Sequence, residues 1–232
     1  MQTTLTETNR VILLFIMMFL LCGVELIFPL IKSKRSSILR TLPNIVMTLL
    51  LILTNFLVAG IVSFVGFAVE KYKLGLFQNV GQIQSMILII TGVIILDFLG
   101  AYLPHALMHK IPFMWRFHAV HHSDIMIDVT TAFRQHPGET IWRYIFQTIG
   151  VLIFGFPLYV LVIYLTLSAL NAQLEHANIT LPKKLDKILQ LVFVTPNMHK
   201  LHHSKHQNET DSNYSNIFSI WDRMFGTYRK RD

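Results

Sequence analysis

Sulfur and charge are both scarce in this chain. A single cysteine, Cys22, stands in 232 residues, so no intramolecular disulfide can form and a disulfide scaffold is excluded. Cysteine-based zinc modules are excluded with it. Charged residues make up 14% of the chain against 53% hydrophobic residues, and the mean hydropathy is +0.49. That is too little charge for an ordinary soluble domain and too much apolar surface for disorder. Low-complexity tracts are absent. A G-x-G-x-x-G loop is absent too, so nothing in these residues supplies its own nucleotide-borne reductant. Carboxylates are sparse where chemistry would need them. After residue 70 the glutamates are Glu139, Glu175 and Glu209, too few for a soluble dinuclear bundle built on Glu-x-x-His pairs. A zinc protease fails as well, because His105 is followed by Ala106, Leu107 and Met108 with no glutamate base beside it.

What the chain has in quantity is apolar run. A helical membrane span needs about 20 consecutive apolar residues. Residues 11–31 supply one, interrupted by Glu25; 43–69 supply a second with no charge; 82–103 supply a third carrying Asp97. Residues 141–172 form a longer stretch broken at Gly155-Phe156-Pro157, which reads as two shorter helices in a hairpin or re-entrant pair. The first run is too long for a signal peptide and no small-residue cleavage site follows it, so it is expected to be a retained anchor. The length suits one domain, divided into N-terminal transmembrane helices (1–80) and a second region (81–232) that contains the broken hairpin (141–176). The net charge of +7 lies beside these greasy segments. Its expected counter-charge is anionic lipid rather than nucleic acid.

Lysine and arginine in short connections set orientation. Lys32, Lys34, Arg35 and Arg40 place the first connection in the cytosol, and the third span then returns there with everything from His105 onward. The tail is basic in the same sense, with Lys183, Lys184, Lys187, Lys200, Lys205, Arg229, Lys230 and Arg231. Arg229, Lys230 and Arg231 read as a patch for anionic lipid, and Trp221 and Tyr228 as interfacial anchors.

All eleven histidines follow residue 104, and they are grouped. His105 and His109 are four apart; His118, His121 and His122 form one HxxHH block; His199, His202 and His203 form another; His136, His176 and His206 stand outside these groups. The two blocks lie in a short self-similarity, FHAVHHS against MHKLHHS, which marks a reused site element rather than a duplicated domain. Residues three or four apart on a helix share a face, so each block reads as a three-imidazole claw. Packed imidazoles repel when protonated and are costly to bury unpaired. A metal removes both costs, because neutral imidazole nitrogen ligates iron, zinc or copper. Counting His105, His109, both blocks and His176 gives nine ligands, more than one ion takes. Two neighbouring ions are expected, with activity falling below a pH of roughly 6 as protons compete for the rings. Asp97 lies on the same span as His105, where an intramembrane acid is costly and a functional role is the expectation, as acceptor of a hydrogen bond from a ligand imidazole.

These residues are similar to those of the fatty acid hydroxylase/sterol desaturase superfamily. The resemblance rests on HxxxH at His105/His109, HxxHH at His118/His121/His122 and at His199/His202/His203, Arg134-Gln135-His136-Pro137, Glu175-His176-Ala177-Asn178, and the tail from Asn213-Tyr214 to Trp221-Asp222-Arg223-Met224-Phe225-Gly226-Thr227-Tyr228. It covers about residues 90–229. It implies an all-α integral-membrane helical bundle with a cytosolic histidine-rich helical cap. It further implies a non-haem di-iron oxygenase that uses O2 to hydroxylate or desaturate a lipid C–H bond, with electrons from a separate electron-transfer protein. The implied metal ligands are His105, His109, His118, His121, His122, His176, His199, His202 and His203. His136 joins them through the Arg-x-His-Pro variant, and Asp97 and His136 stand as the catalytic candidates. His206 is expected in a supporting or surface role. The competing reading is a histidine-rich membrane metal-binding or transport protein, in which ligands would line a path across the bilayer; a haem protein would need partner histidines on opposing spans.

Overall fold

The computed structural model describes residues 7–32, 38–81 and 83–230. Lys34, Arg35 and Arg231 lie outside them, as does the side chain of Arg40, so the basic first connection is not among the described contacts. Among the described residues the architecture is helical, with α1 (Glu7–Ile27), α2 (Ile38–Tyr72), α3 (Ser85–Asp97), α4 (Leu103–Lys110), α5 (Pro112–His122), α6 (Pro137–Phe154), α7 (Leu158–His176), α8 (Lys183–Leu189), α9 (Pro196–His202), α10 (Gln207–Thr210) and α11 (Ile220–Met224). Four stretches are long and apolar enough to cross a membrane: Asn9–Ile27, Leu42–Gln78, Ser85–Lys110 and Leu158–His176. Their outward faces carry bare apolar side chains such as Phe19, Leu26, Phe56 and Phe64, which lipid rather than water would solvate.

The third span is longer than its apolar run. It continues through a π-helical turn, Phe98–Tyr102, into α4, carrying His105 and His109 on the same rod. The turn has a local cause. Pro104 has no N–H to return to the carbonyl of Gly100, and its ring would crowd that carbonyl in a regular α-helix. The wider turn relieves the clash, and π-bulges of this kind accumulate at functional sites. Gly100 is needed there because a Cβ would fall 2.5 Å from Gln147 Cγ.

The broken apolar stretch forms two helices separated at Gly155-Phe156-Pro157, α6 of 18 residues and α7 of 19, each reaching a few residues beyond the apolar run. Gly155 ends α6 in the left-handed region at φ 72°, and Pro157 precedes α7. At that corner Gly155 meets Gly75, itself at φ 88°, so closely that a Cβ on Gly75 would lie 2.2 Å from the Gly155 nitrogen. The two arms part above this corner. α6 lies on α2 and the π-helical turn, and α7 lies on α3 and α1. A core of Val69, Val93, Leu96, Val151, Phe156, Val160 and Tyr164 closes the space near the corner.

At the opposite end the short helices α8 to α11 fold back as a cap. Asp97 fastens it: its carboxylate accepts hydrogen bonds from the Ile217 and Phe218 backbone N–H groups at 3.1 Å and from Trp221 Nε1 at 2.9 Å. Trp221 is thus tied inward, against Phe98, rather than anchored at an interface. Tyr228 is engaged inside the cap as well, its hydroxyl donating to Gln190 and its ring covered by Arg223. Glu25, the acid of the first span, accepts from the Val129 and Asn178 N–H groups at 2.8 and 2.7 Å and so pins α1 to the segments flanking the site.

Candidate metal centre

Nine histidines from four helices converge where α4, α5, α7 and α9 meet. They form two groups: His105, His109, His118, His122 and His202; and His121, His176, His199 and His203. Within each group one nitrogen of every ring lies within 4.8 Å of the others. Donors on opposite sides of one ion at about 2.1 Å stand about 4.2 Å apart, so each group has the dimensions of one coordination sphere.

The HxxHH blocks do not act as single claws. Consecutive helical residues are about 100° apart, so the last two histidines of a block diverge. α5 sends His118 and His122 to the first group and His121 to the second; α9 and the residue that caps its C-terminus, His203, reverse the allocation, sending His199 and His203 to the second and His202 to the first. The two groups share a wall in which the His122 and His203 rings stack at 4.4 Å between centroids and 21° between planes.

The outer nitrogens explain the orientation of the rings. Nδ1–H donates to the Tyr214 carbonyl from His105 (2.7 Å), to the Arg134 carbonyl from His121 (3.2 Å), to the Ala172 carbonyl from His176 (2.7 Å) and to the Ser212 carbonyl from His202 (2.7 Å). His109 and His118 donate to carboxylates, Asp211 at 3.2 Å and Glu139 at 3.0 Å. With the proton held on Nδ1, each Nε2 presents a lone pair inward. Those lone pairs face one another: His105 and His118 at 2.9 Å, His121 and His176 at 3.0 Å, His176 and His199 at 3.0 Å. Nε2 of His109 and of His202 are buried without any hydrogen-bond partner. Inward-facing acceptors with no donor among them are what a cation satisfies, and an all-imidazole set suits iron, zinc or copper. The residues fit a pair of metal ions.

Burial depresses the basicity of these rings. Desolvation, reinforced by neighbouring imidazoles, holds His118, His121, His122, His199 and His203 well below the usual imidazole range, and it pushes His202 down to about 4. All are neutral at physiological pH, the form that ligates.

Supporting groups hold this arrangement. Glu139, 1% exposed, receives the His118 proton on one oxygen and Arg143 on the other at 3.1 Å. Asp222 accepts from the Tyr214 and Ser215 N–H groups at 2.8 and 3.0 Å and so fixes the carbonyl to which His105 donates. Arg134 donates to Val120, Asn44 and Ser123, bracing α5 against α2. Sequence reasoning missed Glu139, Arg143 and Asp211. Glu139 and Arg143 carried a signal, an acid and a base four apart on one helix immediately after the Arg-x-His-Pro tetrad.

Two sequence candidates stand elsewhere. His136 belongs to neither group. Its Nδ1 accepts the Gly138 N–H at 3.0 Å and caps α6, while its ring stacks on Phe117. Asp97 touches no imidazole; its oxygens are taken by the cap. His206 is exposed at the start of α10, outside both groups.

A cavity of about 720 Å³ reaches the histidines from the apolar side. It opens in the space between α6 and α7, with α1 and α2 forming the remaining walls, and its walls are mostly apolar. Its inner end is His105, His121, His176 and His199, with Glu139, Arg143 and Glu175 beside them.

The fatty acid hydroxylase family model matches residues 89–227. Among curated relatives, the ornithine lipid hydroxylase OlsE of Rhizobium tropici is 34% identical over 140 residues, covering 60% of this chain and 41% of that protein. An alkylglycerol monooxygenase of Danio rerio is 32% identical over 130 residues (56% of this chain, 28% of that protein), and one of Homo sapiens is 31% identical over 129 (56% and 28%). The matched region is therefore less than half of each relative's length. No solved structure matches the chain.

Proposed function

Because this chain belongs to the fatty acid hydroxylase family, we propose that it is a membrane oxidoreductase that hydroxylates or desaturates a lipid at an unactivated C–H bond, with two iron ions held by the nine histidines and O2 as co-substrate. The observation that carries the reading is the convergence of nine inward-facing imidazole nitrogens, in groups of five and four, at the inner end of an apolar cavity. Named relatives that hydroxylate ornithine lipids or oxidise alkylglycerols support the lipid class. Two bound irons would supply the activation of O2 that acid–base chemistry cannot replace at an alkyl C–H bond.

The chain's own residues do the rest. Carbonyls of Tyr214, Arg134, Ala172 and Ser212 keep the Nδ1 protons in place, so His105, His121, His176 and His202 stay in the ligating tautomer. Glu139 does the same for His118 and is itself neutralised by Arg143. The apolar side chains of α1, α2, α6 and α7 line the route by which a lipid chain enters from the bilayer, and they keep bulk water from the inner end. In a transporter the ligands would be strung along a path; their convergence at one end favours a fixed centre. We assign the histidine groups to the cytosolic side, supported by the basic residues of the cap. Electrons come from a separate carrier protein, consistent with the absence of a nucleotide loop among these residues.

Purified protein reconstituted with iron should consume O2 in the presence of a reductant and membrane lipid, and lipid mass spectrometry of cells with and without the chain should show a product heavier by one oxygen or lighter by two hydrogens. Tight binding of two ions with no O2 uptake and an unchanged lipid profile would refute the enzyme.

A further inference from the structure

The second histidine group has four members where the first has five, and a carboxylate stands beside it. Glu175 precedes His176 on α7, and both extend the stripe of Ser168, Ala169 and Ala172 that lines the cavity at the three- and four-residue spacing of one helix face. Its Oε1 is 3.8 Å from Nε2 of His199, the same nitrogen that lies 3.0 Å from His176 Nε2 and 3.1 Å from His203 Nε2. Two donors each about 2.1 Å from one ion and 3.8 Å apart subtend about 130°, an ordinary angle between ligands; Glu175 is outside the set of donors that all lie within 4.8 Å of one another, so its carboxylate must swing inward to complete the sphere.

The burial of Glu175 also needs an explanation. It is 4% exposed, and among the described residues its ion-pair contacts are to His176 and His199 alone, with no lysine or arginine. Its other oxygen accepts a long hydrogen bond of 3.4 Å from Asn171, whose amide is anchored to the Asn216 carbonyl. Glu139 makes the contrast. That carboxylate is paired with Arg143 and meets only an outer nitrogen, Nδ1 of His118; Glu175 Oε1 is as near an inner one, Nε2 of His199, as the outer Nδ1 of His176, at 3.8 Å from each. An ionised carboxylate in such a place, with Arg143 across the cavity but not in contact, is costly, and a cation held by its neighbours would remove the cost.

We propose that Glu175 is the fifth donor of the second group, an anionic ligand alongside His121, His176, His199 and His203. The inference rests on the two-metal reading. It makes the two ions unequal, one held by neutral imidazoles and the other by imidazoles and a carboxylate, which favours a harder, more highly charged ion at the second position.

The test uses the full chain in detergent, stripped of metal and titrated with zinc(II), a redox-silent probe, against a chromophoric chelator. Wild type should take up two ions. Glu175→Gln, which keeps the side-chain volume, should bind one ion as wild type does and the other more weakly by on the order of 10- to 100-fold, while His206→Ala binds both unchanged. The zinc-loaded minus metal-free infrared difference spectrum of wild type should show a shifted carboxylate band that E175Q lacks. Wild-type affinity for both ions in E175Q overturns the assignment, as does a wild-type spectrum without a carboxylate shift, which is decisive even if E175Q does not fold. Uptake of fewer than two ions by wild type would bring down the two-metal reading itself, whereas two tight ions in both proteins would remove only the role of Glu175.

Discussion

An imidazole has two nitrogens, and in six of the nine rings they are given opposite tasks: Nδ1 is tethered to the protein and Nε2 is turned inward, while Nδ1 of His199 and of His203 is buried without a partner. Removing His202 or His121 therefore takes a donor from one group and frees a backbone carbonyl. His202→Ala should leave about one ion per chain instead of two and abolish turnover, as should His121→Ala for the other group. His136→Ala should keep both ions and lose only the cap of α6, costing about 1 kcal/mol of stability. Metal content by mass spectrometry and thermal melting separate the two outcomes, and two ions per chain in H202A would contradict the site. Acid sensitivity follows from the same rings. The folded-state pKa values of the rings outside the spans lie below the ordinary value of 6.5, at about 4 for His202 and well below the ordinary range for His118, His121, His122, His199 and His203, so below about 6.5 the unfolded chain binds more protons than the folded one. Stability of the metal-free protein should therefore be full above about pH 6.5 and fall as pH drops toward 4. Melting temperatures of stripped protein from pH 7.5 to 5 check this, and a flat profile would refute it. Competition between protons and metal moves to lower pH than the roughly 6 expected from an unperturbed ring.

At the scale of elements, the cap is what brings His199, His202 and His203 to the spans, and Asp97 is its fastening. Asp97→Ala leaves the Ile217, Phe218 and Trp221 donors without acceptors, a loss on the order of 3 kcal/mol given about 1–3 for each buried unmet group and incomplete additivity. The expected result is a lower melting temperature with metal lost along the same transition, and turnover per bound metal pair close to wild type at low temperature. Unchanged stability with lost turnover would instead restore a chemical role to Asp97. The sequence made the acid conspicuous but not its use, because a carboxylate eight residues before His105 on one span looks the same whether it meets a ring or a loop 120 residues away. The π-helical turn was equally hidden: Gly100 and Pro104 carry its cause, yet hydropathy sees only an unbroken apolar run. Helix identity was plain wherever the run was long, and the corner at Gly155 and Pro157 was plain from residue type. That the arms on either side part instead of packing was not, since it depends on which neighbours α6 and α7 choose.

For the whole molecule, the site lies between the cap of α8 to α11 on one side and a mostly apolar cavity on the other. Histidine spacing picked out the nine rings that converge, because metal chemistry constrains residue type and interval together. The allocation of rings to ions and the cavity were not legible, because both arise from how α5, α7 and α9 cross in space. The cavity yields the prediction that belongs to this scale. Ala169 lies on the cavity stripe of α7, between the bilayer side and the His176 end. Its replacement by Trp fills the route with a large rigid ring while touching none of the nine ligands. If a lipid chain passes there, Ala169→Trp should retain two ions and its unreacted metal spectrum yet lose most lipid turnover, with the loss steeper for long chains than for short ones. Leu26→Trp, on the outward face of α1 where the side chain is 85% exposed, adds the same bulk away from the cavity and should behave as wild type. Reductant-driven O2 uptake measured against a chain-length series of lipids in vesicles distinguishes them. Equal turnover of A169W and L26W at every length would mean that the substrate reaches the histidines from the cap side, and the cavity would then need another occupant.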